Sequence, residues 1–436
     1  MTGGGVLQRP IGFRPWEISA LVNREVIDQH GEEAAFLWTQ RDQAVASPRY
    51  ALKHLGKLDG RVEAHVDGLR VAAEVGWETC LAVVGAGPGE VFAAASLAFG
   101  SGDSRRIQAV LEVGCSDPLL ARGLISALGW LAKGPASDAA MLLVTDVQPE
   151  VRRTGIAACA IHRVDPGPTL GKAIIDPEPR LAARAARAAA ELGRVDLFGQ
   201  VLSRVSDPDP DCRFWAAWSA ARLGEKRANV LQVLREAVQP SDRHAQAALE
   251  MALRCMSLTG GKVWCRELAQ NPKSARLAAI GLGVIGDPAE IDTLIRMMED
   301  SAVARAAGGS FSMMTGADLG YEDLSGDAPE SVPESPSEEP TDTDVATDPD
   351  AHFEWPVPAK VAKWWAKRKS GYEFGVRYLR GKPIAEVALR DALSNGMQNQ
   401  RAVAALELGL LRPSTILFET RARADRQIEM LKEWNS

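Results

Sequence analysis

The chain is poor in the residues on which metal sites and disulfide frameworks depend. It has six cysteines and six histidines among 436 residues, and no two cysteines form a CxxC pair. Cysteines scattered through apolar helical patterns are typically small buried side chains, which fits a reducing compartment such as the cytoplasm. There is no HExxH motif and no His-Glu pair. We therefore expect no metal ion and no cofactor.

Long apolar runs and phosphate-binding loops are absent too. No stretch approaches the roughly eighteen apolar residues of a transmembrane helix, so none is expected. The start, MTGGGVLQRPIGFRPW, has no basic segment followed by an apolar one, so a signal peptide is not expected. The segment GAGPGE lacks the full GxGxxG spacing, and there is no GxxxxGK[ST] motif. With no catalytic motif in view, the prediction is that this protein is not an enzyme.

An internal repeat is the strongest feature that the sequence does have. Prolines that open helical patterns recur every 28 to 32 residues, and Asp or Asn precedes four of them. They are Pro88, Pro118, Pro149, Pro177, Pro208, Pro240 and Pro272. Asp and Asn side chains accept hydrogen bonds from the first helical turn, and proline suits the first helical position. Each unit is thus predicted to be an alanine-rich first helix, a turn and a more aliphatic second helix.

Neither helix of such a unit can bury its apolar stripe alone, so neighbouring units must stack. Alanine lets the first helices approach closely, and Trp215 and Trp218 are predicted to fill the core between units. The pattern resembles HEAT-like repeats, in particular the short kind named after phycobilisome lyases, over about residues 85–300. It predicts an all-α solenoid of about seven helix pairs with helical caps and one disordered acidic insertion. The predicted parts are an N-terminal helical cap (1–84), the repeat solenoid (85–307), a flexible acidic linker (308–356) and a C-terminal helical region (357–436).

Charge is distributed unevenly along the chain. Residues 318–354 carry thirteen Asp or Glu and no Lys or Arg, whereas the whole chain has a net charge of −7. The rest of the chain is therefore mildly basic. The acidic stretch is also rich in Pro, Ser and Thr, so it is predicted to be disordered. It is either a solubilising insertion or a polyanion that shields a basic surface of this protein or of a partner.

A basic and aromatic segment, 360–382, follows the acidic stretch. Its first basic residues are Lys360, Lys363, Lys367, Arg368 and Lys369, and they alternate with aromatic side chains that include Trp364 and Trp365. Such a segment could bind phosphates and stack bases. It could equally be a solvated helix face or pair with the acidic stretch.

The tetrapeptide WTQR carries a further resemblance. With its signature residues Trp38, Gln40 and Arg41, followed by HLGKLDGRVEAHVDGL and the repeats, the chain resembles an uncharacterised family of bacterial proteins. That family is found in type VI secretion gene neighbourhoods, beside secreted effectors. The resemblance implies a role in effector delivery or self-protection and brings no catalytic residues. On the residues alone, Trp38 would anchor the N-terminal cap while Gln40 and Arg41 hold a turn.

The function predicted from these features is a non-catalytic scaffold that binds another protein along its second helices. The candidate contact residues are Arg105, Arg106, Trp264, Arg266, Asp292 and Arg296. With the family resemblance, the specific hypothesis is an immunity protein, or else an adaptor, for a secreted type VI effector. The alternative is a nucleic-acid-binding protein that uses residues 360–382; no membrane partner is expected.

Overall fold

The computed structural model describes residues 22–329 and 348–435. Contacts divide the chain into two compact units, Met1–Arg41 with Lys57–Ala139 and Asp42–Gly56 with Ala140–Ser436. Seven helices lie between residues 24 and 143: α1 Arg24–Ala44, α2 Leu52–Val71, α3 Glu74–Ala82, α4 Pro88–Ser101, α5 Ser104–Gly114, α6 Leu120–Trp130 and α7 Lys133–Leu143. None of the helices in the described ranges combines the length and apolar character that a bilayer crossing requires.

In the first unit, α4 and α6 pack against each other as a closely spaced pair. A Cβ atom on Gly123 of α6 would overlap the carbonyl oxygen of Pro88, so glycine permits this approach. Helix α5 begins after Asp103, whose carboxylate accepts from the backbone N–H groups of Arg105 at 2.8 Å and Arg106 at 3.1 Å. Asp103 is therefore the N-cap of α5, at a position that the proline repeat did not predict.

The second unit contains the regular part of the repeat. Its first helices are α8 Pro149–His162, α10 Pro179–Glu191, α12 Pro210–Arg222, α14 Ala245–Cys255, α16 Ala275–Ile285 and α18 Ala304–Thr315. Its second helices are α9 Pro168–Ile174, α11 Phe198–Ser203, α13 Ala228–Glu236, α15 Leu258–Ala269 and α17 Ile291–Met297. Each first helix packs on the next, from α8 to α18, which confirms the predicted all-α solenoid.

Small side chains allow the first helices to pack this closely. Seven alanines of α10 are buried, and α10 packs against both α8 and α12. Helix α12 begins at the second Asp-Pro of the doubled motif rather than the first. Asp209 accepts from the backbone N–H of Cys212 at 2.8 Å, while Asp207 accepts from the N–H of Asp209 at 2.9 Å. One Asp therefore caps the helix, and the other holds the turn before it.

The prediction of a flexible linker over 308–356 is wrong at both ends of that range, where the chain is folded. Helix α18 runs on to Thr315 and is buried along most of its length. A Cβ on Gly309 would lie 2.6 Å from the ring of Phe353, so glycine lets the chain after the acidic stretch pack on α18. Strand β1 (Ser325–Gly326) pairs with β2 (Trp355–Pro356), which closes the two ends of the stretch. The acidic residues between 330 and 347, and residues 1–21 of the predicted cap, lie outside the described residues.

The C-terminal region is helical, as α19 Pro358–Arg368, α20 Glu386–Asn395, α21 Gln398–Leu411 and α22 Ala424–Asn435, with a hairpin of β3 (Tyr378–Leu379) and β4 (Lys382–Pro383). After α19 it runs back along the C-terminal ends of the first helices. The N–H of Tyr378 donates to the carbonyl of Gly286 after α16, and the N–H of Leu417 donates to the carbonyl of Glu191 in α10, at 2.8 and 2.9 Å. The region therefore lines several repeats.

Candidate protein-interaction surfaces

The signature residues of the WTQR segment lie in α1 of the first unit. Trp38 is buried and stacks on Phe92, with ring centroids 5.6 Å apart. Arg41 is buried as well, and its Nε donates to the Asp59 carboxylate at 2.9 Å. Gln40, in contrast, is exposed. Trp38 and Arg41 thus stabilise the first unit, and Gln40 alone of the three presents its side chain to solvent.

Arg105 and Arg106 lie at the start of α5, also in the first unit. Arg105 is exposed, whereas Arg106 is half-buried. The Arg106 guanidinium donates to Glu74 at 2.6 Å and lies 5.1 Å from the centroid of the Trp77 ring. Arg105 is therefore free to contact a partner through its exposed side chain, while Arg106 is engaged within the unit.

The other four predicted contact residues lie on second helices of the second unit, and one of them is not at the surface. Trp264 of α15 is only 6% exposed, which contradicts its prediction as a surface contact. Arg235 of α13 covers it, with its guanidinium 4.9 Å from the ring centroid. A large aromatic ring at this position fills the space between adjacent second helices. The residue that reaches the surface here is Arg235, which the sequence analysis missed.

Arg266, Asp292 and Arg296 are exposed, as predicted for contact residues. Arg266 reaches Glu290 at 3.3 Å, across to the next repeat. Exposed apolar side chains accompany them, such as Val263 of α15, which is 47% exposed. We call the exposed positions on and next to these helices the second-helix face; it includes Lys172, Ile175, Arg235, Glu236, Val263, Arg266, Glu267, Asp292 and Arg296.

The basic residues of α19 and the turn after it are partly neutralised within the chain. Lys369 donates to Asp292 of the second-helix face at 2.8 Å. The other ion pairs join Lys360 to Asp323 at 2.9 Å and Arg368 to Glu322 at 3.4 Å. Two of these acids belong to the described start of the acidic stretch, so pairing with that stretch, one of the predicted alternatives, occurs. Lys363 and Lys367 are exposed.

Three aromatic residues of segment 360–382, Trp364, Trp365 and Tyr378, are poorly placed to stack on bases, whereas Phe374 is 51% exposed. Trp365 and Tyr378 are buried. The Arg368 guanidinium covers the Trp364 ring at 4.2 Å, and the indole N–H of Trp364 donates to Glu322. Base stacking needs an open aromatic face, which none of these three rings offers.

A cluster of aromatic residues on α12 and its neighbours agrees in part with its prediction. Trp215 and Trp218 are only partly buried, and Phe214 takes the core position instead. The Arg187 guanidinium of α10 lies 4.3 Å from the centroid of the Trp215 ring. Phe214 stacks on His244 at 4.2 Å. The two tryptophans are thus half-buried. Trp215 packs against the buried residues Ala182, Ala183 and Cys212, so it fills space between α10 and α12 as predicted, although Phe214 is the fully buried ring.

Nucleophilic and metal-binding side chains offer little chemistry. Burial raises the pKa of Cys80, Cys212 and Cys265 to about 12, so these groups remain thiols at neutral pH. Burial, and then the nearby His30, lower the pKa of His65. Within the described ranges no group of three or more His, Cys, Asp or Glu side chains is arranged to hold a metal ion.

Comparison with known proteins identifies the class of the repeats. Residues 167–254 match the family described as HEAT repeats, and they correspond to α9–α14. An engineered protein solved by the Northeast Structural Genomics Consortium is similar at 16% identity, with a TM-score of 0.31; the match covers 68% of this chain and 97% of that one. No curated protein matches the chain. Residues 167–254 of the second unit are therefore similar to HEAT repeats.

Proposed function

We propose that this protein is a non-catalytic scaffold that holds a partner protein on its second-helix face. The observation that carries the proposal is a difference between two surfaces of the second unit. The C-terminal ends of the first helices are occupied by the chain's own C-terminal region, through the hydrogen bonds of Tyr378 and Leu417. The second-helix face remains exposed on α9, α13 and α15, whereas on α17 Asp292 accepts from Lys369 of the C-terminal region and Arg296 stays exposed.

The chemistry of this face suits a protein partner. Arg235, Arg266 and Arg296 are exposed, and arginine is one of the residue types that contribute most to binding at interfaces. Exposed Ile175 and Val263 add apolar surface that a partner can bury. The exposed acids Glu236 and Glu267 lie on the same helices as Arg235 and Arg266, so charge pairing can select the register of the partner.

The specific form of the proposal is a cytoplasmic immunity protein, or an adaptor, for a secreted type VI effector. Its support is the resemblance of the WTQR segment and the following sequence to a family found beside such effectors. The six cysteines are free thiols, which agrees with a reducing cytoplasm. Immunity is favoured over loading because a rigid repeat face can bind a folded toxin at little ordering cost.

Affinity capture from the native cell, followed by mass spectrometry, tests the proposal. The variant Arg266→Glu/Arg296→Glu should lose a stoichiometric partner that the wild type retains. The control, Arg180→Glu/Lys432→Glu, makes the same change in charge at exposed residues elsewhere and should retain it. Equal retention by both variants would exclude the second-helix face.

A second assay separates the two specific roles. If this is an immunity protein, its co-expression restores growth to cells that produce the captured effector, and the face variant does not. If it is an adaptor, deletion of its gene stops secretion of the effector without exposing the cell to toxicity. A partner unrelated to secretion would contradict both roles and leave the scaffold proposal standing.

The alternative, nucleic-acid binding, depends on Lys363 and Lys367, which are exposed one helical turn apart on α19. Binding through phosphates should weaken steeply as salt is raised, because it releases counterions. An electrophoretic shift at low salt that disappears in Lys363→Glu/Lys367→Glu would support this function. Absence of a shift at low salt would reject it.

A further inference from the structure

An open cavity of about 380 Å³ lies in the C-terminal region, away from the residues of the second-helix face. Its volume falls in the range of pockets that bind small molecules. The lining residues are Glu386, Arg390, Leu408, Leu411, Arg412, Thr415, Ile416 and Trp434. They combine a few charged side chains with an apolar wall, and small-molecule sites are usually built in this way.

Three elements and one loop build the cavity. Helix α20 contributes the charged pair Glu386 and Arg390, the end of α21 contributes leucines, and α22 contributes Trp434. The Arg390 guanidinium donates to the carbonyl oxygen of Trp434 at 2.6 Å, and Trp434 packs edge-to-face on buried Phe418 at 5.5 Å. These contacts hold the tryptophan wall in place.

The charged side chains that line the cavity, Glu386, Arg390 and Arg412, carry a net positive charge. Glu386 accepts from Arg390 at 2.9 Å and from Arg412 at 2.8 Å. The hydrogen bond from Arg390, supported by Arg412, lowers the pKa of the Glu386 carboxyl, so it is ionised at neutral pH. Two cations and one anion leave a net charge of about +1 among the lining residues.

Arg412 is the cation with donors to spare. Arg390 is engaged by both Glu386 and the Trp434 carbonyl. Arg412 pairs with Glu386 through Nη2 alone among the described contacts, and its side chain is 59% exposed at the rim. Because a guanidinium has five N–H donors in a planar fork, Arg412 can donate to a second carboxylate while it keeps its hydrogen bond to Glu386.

The apolar wall of the cavity includes two side chains that are open to solvent. Leu411 is 56% exposed and Ile416 is 45% exposed. A ligand with an apolar body would bury part of this surface. The net positive charge of the lining residues disfavours a cationic ligand. A purely apolar ligand would leave the free N–H donors of Arg412 without a partner.

We propose that this cavity binds a small apolar molecule that carries one carboxylate. The carboxylate pairs with Arg412, and the apolar body lies against Leu411, Ile416 and Trp434. This ligand site is separate from the proposed partner surface and does not depend on it.

The same loop that forms the cavity also attaches the C-terminal region to the repeats. The fully buried Arg222 of α12 donates to the carbonyl oxygens of Pro413 at 3.1 Å and Thr415 at 2.8 Å. The N–H of Leu417 donates to the Glu191 carbonyl at 2.9 Å. A ligand that contacts Arg412 and Ile416 should therefore steady this attachment and slow amide exchange at Leu417.

Calorimetric titration of the full chain with octanoate, octanol and octylammonium tests the proposal. Octanoate should bind about tenfold or more tightly than octanol, because the charge-assisted hydrogen bond is available only to the carboxylate. Arg412→Gln should remove that preference, and Arg412→Lys should restore part of it. Arg180→Gln, an exposed arginine on α10, is the control and should leave binding unchanged.

Hydrogen exchange supplies the second measurement, since octanoate should slow exchange at Leu417 in the wild type and not in Arg412→Gln. Absence of octanoate binding at millimolar concentration would overturn the proposal. So would equal affinity for octanoate and octanol, or tighter binding of octylammonium. Tighter binding of a leucine-terminated peptide than of octanoate by more than tenfold would overturn the small-molecule assignment and indicate a peptide terminus instead.

Discussion

Glu191, the last residue of α10, offers the sharpest test of how the second unit is held together. Its carboxylate accepts from the Arg184 guanidinium at 3.0 Å and from Arg187 Nε at 2.8 Å. Its backbone carbonyl accepts from Leu417 of the returning C-terminal region. Replacing Glu191 with glutamine removes the negative charge and leaves buried Arg184 without its ion-pair partner.

The size of the effect follows from the pKa of Glu191. Burial alone would raise that pKa, but Arg184, Arg187 and Arg163 more than offset burial and lower it from 4.5 to about 2. A difference of about 2.5 units corresponds to about 3 kcal/mol of stability at neutral pH. Loss of one partner from a buried ion pair costs about 3–5 kcal/mol, which agrees. We therefore expect Glu191→Gln to lose about 3 kcal/mol at pH 7.

The same shift predicts the pH dependence of the effect. Because the folded pKa lies below the unfolded one, the stabilisation is present in full above about pH 4.5 and is lost as the pH falls toward 2. At pH 3 the difference between wild type and Glu191→Gln should have fallen to less than about half of its value at pH 7.

Denaturant unfolding followed by far-ultraviolet circular dichroism, at several pH values, measures both quantities. Glu299→Gln, at an exposed glutamate, serves as the control and should change the free energy of unfolding by less than about 0.5 kcal/mol. A loss below about 1 kcal/mol at pH 7, or a loss that is the same at pH 3, would refute the ion-pair account.

Three further substitutions or treatments test other parts of the fold. Gly193→Ala should cost about 3 kcal/mol, since φ is +66° and the added Cβ would lie 2.7 Å from two carbonyl oxygens of the C-terminal region. Gly167→Ala, at φ +63° in open space, should cost only about 1 kcal/mol; equal losses in denaturant unfolding would exclude the predicted clash. Asp209→Ala should cost about 1 kcal/mol and Asp209→Asn less, as measured by thermal unfolding, because asparagine still caps α12. Cys80 and Cys265 should resist iodoacetamide at pH 8 until the protein unfolds; mass spectrometry that finds either modified in the folded protein would contradict its burial and its pKa of about 12.

Sequence reasoning predicted the helix pairs well and the surfaces less well. The Asp-Pro motifs predicted the start of the first helices to within two residues, but Asp117, Asp176 and Asp207 hold the turn before the helix and do not cap it. Helix α18 was missed because its Gly308 and Gly309 suggest a linker. Gly309 is needed because the ring of Phe353 packs against it, and a Cβ at this position would clash with that ring. Phe353 is distant in the sequence, so this contact could not be predicted.

The candidate surfaces show the same limit. Arg266, Asp292 and Arg296 could be predicted as exposed from the helical period alone, whereas Trp264 could not be recognised as buried. Its cover, Arg235, comes from the preceding repeat. The cavity around Arg412 was not foreseen, because its lining comes from three helices and a loop.

The amino-acid sequence by itself determined the repeating pair of helices, the Asp-Pro turns that precede the first helices and the small side chains that permit close packing. These features depend on neighbours within one or two helical turns. Only the tertiary structure decided that the C-terminal region returns along the ends of the first helices. There buried Arg222 is met by carbonyl oxygens of a segment remote in the chain, and Glu191 joins its own helix to that segment. Long-range contacts of this kind depend on which surfaces come together when the repeats stack. A local sequence pattern does not contain that information.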